Sequence, residues 1–271
     1  MRTTLIASVA AGALLSAGLG VPALAVEPGK AELSVLHGVP GLTVDVYVNG
    51  ALTLDDFTPG TLAGPLSLDP GTYTVVLAAE DSTDDSAPLL GPIDLPLAAD
   101  TSYTAVAHLT AAGDPTATLF TNDISATDSG EGRLTVRHTA AAPAVDIWAN
   151  GSPVFEGVEN PDEGVVDVPA DTYAAAVAAA GTETVVLGPA DVTIEEGVNT
   201  IVYAWGSLDD DNLALAVQVV DVAMGDPSEV QAGSAGFAAD RGAPLGVLLA
   251  GLAALVAAAL VIRFMAVRQQ R

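Results

Sequence analysis

Two histidines occupy matching places in this 271-residue chain, His37 and His138, and a repeated imidazole is a candidate base or metal ligand. Neither has a second histidine at helical or hairpin spacing, and no His-x-Glu or HExxH pattern occurs. That spacing favours a ring bonded to turn backbone. His108 is unrepeated, because it aligns with Trp205. Asp45 with Tyr47, and Asp146 with Trp148, form a second constellation on one strand face. An aromatic beside a carboxylate can stack on a sugar ring while the carboxylate accepts its hydroxyls, so these four residues are the candidate ligand face. The competing reading has the aspartates capping local backbone groups and the aromatics covering an edge or touching a neighbouring domain. The acidic runs DSTDDS at 81–86 and LDDDN at 208–212 offer oxygens for Ca²⁺, but lack EF-hand spacing and its closing Glu, and read as solvated hairpin tips. AGSAG at 232–236 lacks the first glycine of a GxSxG elbow, and no phosphate loop or GxGxxG occurs. The sequence therefore assigns no catalytic residue, no cofactor and no metal site.

The elements that position these groups repeat. LSVLHGVPGLTVDVYVNG at 33–50 recurs as LTVRHTAAAPAVDIWANG at 134–151, and DPGTYTVVL, PADTYAAAV, LGPID and LGPAD extend the match. Within each copy the apolar period is two: Val44, Val46 and Val48 face one way, Asp45 and Tyr47 the other, and Asn49-Gly50 supplies a tight hairpin. Further strands are predicted over 33–36, 52–54, 64–68, 72–78, 89–95, 102–109 and 116–121. The Ala-rich run 174–180 is predicted as a strand because it aligns with TVVLAAE. Seven or eight short strands per copy predict an all-β chain of two tandem immunoglobulin-like antiparallel β-sandwich domains, at 32–123 and 133–222, joined by a linker at 124–132.

The short strand ending in His, the turn, VDVYVNG and the later PxGTY resemble the bacterial domain of unknown function 4397 across both copies. The resemblance implies a repeated extracytoplasmic β-domain in exported or surface-anchored proteins, with no activity or catalytic residue to carry over. The family's His-Ala-Ser-Pro run reads His37-Gly-Val-Pro40 in one copy and His138-Thr-Ala-Ala in the other.

Thirty-four acidic against eight basic residues give a formal charge of -26, which excludes nucleic acid as a partner. The absence of cysteine excludes disulfides, thiolate zinc sites, cysteine nucleophiles and a lipidated cysteine. Residues 1–25 read as a cleaved signal peptide. Beyond a stalk at 223–242, the uncharged stretch 243–262 has the length of one transmembrane helix, and Arg263, Arg268 and Arg271 after it predict a cytoplasmic tail at 263–271. The expected protein is a non-enzymatic cell-surface binding, adhesion or display module, single-pass in the cell membrane, with its domains outside. Its expected partners are the membrane, through that helix, and an envelope glycan or surface protein. The alternatives are an extracellular hydrolase acting on envelope glycans and a calcium-dependent adhesin.

Overall fold

The computed structural model describes residues 26–222. The expected signal peptide, stalk, transmembrane helix and basic tail lie outside the described residues. The first half comprises β1 (Ala31–His37), β2 (Val44–Val48), β3 (Ala51–Phe57), β4 (Leu62–Leu68), β5 (Gly71–Ala79), β6 (Pro88–Leu97), β7 (Thr101–Leu109) and β8 (Pro115–Asn122). The second repeats it with β9 (Glu131–Ala141), β10 (Val145–Ala149), β11 (Ser152–Val158), β12 (Glu163–Pro169), β13 (Asp171–Ala179), β14 (Val185–Ile194), β15 (Val198–Ser207) and β16 (Ala214–Asp221). Among the described residues there is no helix. The alanine run of β13 is a strand because its neighbours β10 and β14 pair with it on both sides.

Each half stacks two four-stranded sheets, in the orders β4-β1-β7-β8 and β3-β2-β5-β6, then β12-β9-β15-β16 and β11-β10-β13-β14. The alternating valines of β2 and β10 point into the space between the sheets: Val44, Val46, Val145 and Ile147 are all buried. Asn49 and Gly50, with φ of 51° and 78°, close the β2–β3 hairpin in the mirror-image turn that fits strand twist, and Asn150 and Gly151 do the same at 50° and 77°. The repeated Leu-Gly-Pro is a backbone requirement. A Cβ on Gly91 or Gly188 would stand 2.7 or 2.8 Å from the carbonyl of the adjacent strand, and both residues have φ near 100° (104° and 95°).

The sequence predicts wholly antiparallel sandwiches, and the structure corrects this. β1 runs parallel to β7, and β9 to β15. The cause is the route of the chain. β6 descends to the end of the sandwich where β1 begins, and a short turn at 98–100 crosses to the other sheet, so β7 starts beside Ala31 and runs in the same direction. Asp100 fixes that crossing: its N–H donates to the Lys30 carbonyl and its carboxylate accepts the Gly29 N–H at 2.7 Å.

The two halves meet through the sheets that contain β1 and β9. Leu36, Val106, Phe120, Ile201, Tyr203 and Val220 interdigitate there. Inside this seam lies Arg137, whose side chain is 1 % exposed. Its Nε donates to Glu163 at 2.7 Å, and Nη1 donates to Tyr203 Oη at 2.8 Å and to Asn122 Oδ1 at 3.0 Å. The guanidinium plane sits 4.3 Å from the centroid of the Phe120 ring. Gln218 accepts from the Tyr203 hydroxyl at 2.6 Å and from Thr104 at 2.9 Å, and Asn122 donates to Ser102 at 3.0 Å. The network spans both halves and leaves the buried charge fully partnered, the condition under which such burial is tolerable. Arg133 performs the same service at the connector: it grips Asp167 through two nitrogens and donates to the Ser125 carbonyl at 3.0 Å. Trp205 of the second half lies against the Thr58-Pro59-Gly60 turn of the first. A Cβ on Gly60 would be 2.8 Å from the indole.

Replacing Arg137 by Met is expected to lower stability by about 2–4 kcal/mol, since it strands the partners of a buried charge while Glu163 keeps some solvent. Urea unfolding measures this, and a loss below about 0.5 kcal/mol would show that the seam carries no energetic weight.

Candidate functional site

Asp45 and Asp146 lie on the five-residue strands β2 and β10, pointing away from the sandwich interior. The expected open ligand face is not formed there. Asp45 is 0 % exposed: one carboxylate oxygen accepts the Asp56 N–H and the other the Ser82 N–H, each at 3.0 Å. Asp146 repeats this with Gly157 at 2.8 Å and Gly181 at 2.7 Å. The flanking strands β3 and β11 carry a positive-φ residue at the same place, Asp56 at 49° and Gly157 at 64°, and the turns after β5 and β13 carry Asp81 and Gly181 at 59° and 72°. Such turns present amides to a concavity that suits an anion, and the aspartate of the neighbouring strand fills it. The carboxylates therefore fasten two loops to the sheet. Tyr47 is folded under the longer loop of the first half, donating to the Ser82 carbonyl at 2.6 Å against Val76 and Ala78. Trp148 is half-buried in the corresponding place, with its Nε1 enclosed and unpartnered among the described residues.

The histidines are equally committed. His37 Nε2 lies 2.6 Å from the Leu42 carbonyl while Nδ1 faces the Val39 N–H, and the ring stacks on Phe57. His138 repeats the pair with the Pro143 carbonyl and the Ala140 N–H. A carbonyl on Nε2 and an amide N–H on Nδ1 assign the neutral tautomer protonated at Nε2. His108 is buried in the seam between the Leu109 carbonyl and Thr118. Burial lowers the pKa of all three rings below the usual imidazole value. Tyr73 and Tyr173 each donate to a carbonyl four residues upstream, at Asp69 and Pro169.

The fold also assembles a group that the sequence does not reveal. The carboxylates of Asp45, Asp55 and Asp56 come within 4.8 Å of one another. These are the side chains that could share a cation, and the runs 81–86 and 208–212 are not among them. Burial and the repulsion of Asp55, Asp81 and Asp45 raise the pKa of Asp56. In the second half Glu156 and Gly157 stand where Asp55 and Asp56 do, and Asp146 still fastens both loops, the second through an amide one position earlier, that of Gly181. What Asp45 and Asp146 share is the fastening of two loops to the sheet.

One further arrangement bears on function. Ala31, Asn122, Glu131 and Asp221, where the chain enters and leaves each half, all lie at one pole, as the pairings Ala31 with Thr101, Ser102 with Asn122, Glu131 with Pro169, and Val198 with Asp221 require. The seam keeps the halves in the same orientation, since Asn199 reaches the Asp123 carbonyl at this pole and Asn160 reaches the Leu109 carbonyl at the other. The loops at 38–43, 80–87, 110–114, 142–144, 180–184 and 208–213 cluster at the far pole.

Two eight-stranded sandwiches fused through a charged seam, with every entry and exit at one end, define a tandem-repeat all-β protein. The chain belongs to the family described as domain of unknown function (DUF4397), whose model matches residues 31–148 and again 140–235. No curated protein matches it in sequence.

The buried histidines make stability depend on pH. Unfolded, each ring titrates near 6.5; folded, each titrates lower, so the unfolded chain binds more protons just below 6.5. The contribution is complete above that value and declines as pH falls beneath it. The melting temperature is expected to drop between about pH 7 and about pH 5.5, and to drop less in His138→Gln, which keeps a donor toward Pro143 but cannot be protonated. Equal slopes in the two proteins would exclude the His138 imidazole as a contributor.

Proposed function

We propose that the protein is a non-enzymatic binding or display module of the cell surface, held in the membrane by the 243–262 segment with both sandwiches outside. The observation that carries this reading is the polar arrangement of the chain. A tether at the C-terminal side leaves from the pole that holds Asp221, so the loops of the other pole point away from the attachment. The exposed faces of those loops, held in place by the sheet beneath, would then be the contact surface, as is common for loops on a rigid scaffold. The parallel β1–β7 pairing and the two stacked sheets support classing each half as immunoglobulin-like.

The surface charge selects the partner. Residues 26–222 hold 31 acidic residues and three basic ones, of which Arg133 and Arg137 are consumed in the seam and Lys30 is paired with Asp69 at 2.7 Å. The exterior is thus almost purely anionic, which favours an uncharged glycan or a protein with a basic face and disfavours anionic wall polymers.

Protease treatment of intact cells should release fragments from 26–222 and spare the 243–262 segment. The purified protein should be retained on cells, and Asp81→Asn/Asp84→Asn/Asp85→Asn at the far pole should reduce retention several-fold, while Asp69→Asn/Asp171→Asn at the near pole should leave it unchanged. Resistance of intact cells to shaving, or equal retention in the two variants, would overturn the reading.

A further inference from the structure

The two sandwiches share a frame but are not equally filled. Between the sheets of the first half lies a cavity of about 210 Å³, lined by Val35, Val46, Val75, Leu77, Ile93 and Ala105 among other apolar side chains. The corresponding space in the second half measures about 20 Å³. Overall bulk does not explain the difference, because the second half carries the smaller Ala149, Ala175 and Ala190 in place of Val48, Val75 and Ile93. Placement does. Where β3 holds Leu54, β11 holds Phe155, and its ring lies over Gly164, so closely that a Cβ there would stand 2.6 Å away. The first half has Ala63 at the position of Gly164. The register of β7–β8 against β15–β16 further pairs Ala117 with Leu215 and Ala105 with Val202. One copy is plugged from its β11–β12 side, and the other is open along the equivalent β3–β4 side, where Thr53 and Leu66 border the cavity and Leu66 is 37 % exposed.

We infer that the first sandwich is a binding site for a single saturated hydrocarbon chain, inserted between β3 and β4 with its polar end left in solvent. The lining offers almost no hydrogen-bonding group. His37, which also borders the space, has its ring nitrogens committed to the Leu42 carbonyl and the Val39 N–H. A polar guest would forfeit its hydration without return, whereas an apolar one gains contacts in a space that disfavours water. An apolar cavity of about 150 Å³ accepts benzene, and on that scale the larger volume here holds about eight carbons. The head group is constrained separately. Asp55 and Asp56 stand on the bordering strand β3, and the exterior is anionic, so an uncharged or cationic head is accepted and a carboxylate is repelled. The occupant class is therefore a single-chain alkyl alcohol or amine, or a lipid presenting one such chain, rather than a fatty acid.

The isoleucines report on this directly, because Ile93 lines the cavity while Ile147 and Ile194 belong to the core of the other half. The full-length protein, labelled at isoleucine δ1 methyls, is titrated with 1-octanol and, separately, with octanoate. With 1-octanol, Ile93 should shift saturably and Ile147 and Ile194 should stay in place; octanoate should bind at least tenfold more weakly. Leu54→Phe/Ala63→Gly, which transplants the plug of the second half, should abolish the Ile93 shift. Ala117→Leu should do so independently, with unshifted Ile147 and Ile194 resonances certifying that each variant is folded. An unmoved Ile93, equal shifts in both halves, or saturable binding that survives in a folded filled variant would overturn the site; octanoate binding as tight as 1-octanol would overturn the head-group assignment.

Discussion

A guanidinium enclosed between two sheets is the constraint around which the rest of this molecule is arranged. Arg137 cannot be desolvated unless acceptors surround it, and no single half supplies them all: Glu163 and Tyr203 come from its own sandwich, Asn122 and the Phe120 ring from the other. Tyr203 and Asn122 have further partners of their own, so Gln218, Thr104 and Ser102 are drawn into the same network. The joint between the repeats is consequently a directional match of polar groups as well as a greasy contact, and sliding one sheet over the other would orphan several of them.

The duplication shows where that match was made. Positions that face the interior of each sandwich are conserved in kind between the copies: Leu33 and Leu134, Val35 and Val136, Val46 and Ile147. Positions that face the neighbouring half are not. Leu36 corresponds to Arg137, Val106 to Tyr203, Phe120 to Gln218 and His108 to Trp205. A fold repeated without change would have placed two Leu36 side chains, or two Arg137 charges, against each other. Divergence of one face let two copies of one frame become complementary, and the frame itself stayed intact.

Much of the architecture was legible because period-two alternation and Asn-Gly turns are local signals, and the repeat checked them, overruling helix propensity in the alanine run of β13. The parallel strand pair was not legible, since it depends on which sheet the chain crosses into after β6. The outward face of Asp45 and Tyr47 was correctly placed on the strand but misjudged in exposure, because alternation says which way a side chain points and not what later folds over it. The seam left a trace that could have been used. TSYTAVAHL and NTIVYAWGS run nearly unbroken in apolar and small residues, as strands buried on both faces do, and two of the three basic residues within 26–222, Arg133 and Arg137, sit four apart on one strand. The difference in filling between the sandwiches had no such trace, since it rests on where the register sets a few side chains, Phe155 over Gly164 and Leu215 and Val202 in place of Ala117 and Ala105.

Placing both arginines inside has a consequence for the medium in which the body is most secure. Nearly all remaining charge–charge interactions on the outside are repulsive, and dissolved ions shorten their reach from about 10 Å at 0.1 M to about 3 Å at 1 M. The attraction between Arg137 and its partners, sheltered behind Phe120, is far less affected. Added electrolyte thus weakens what opposes folding and spares what favours it, so the protein becomes firmer as its surroundings approach brine.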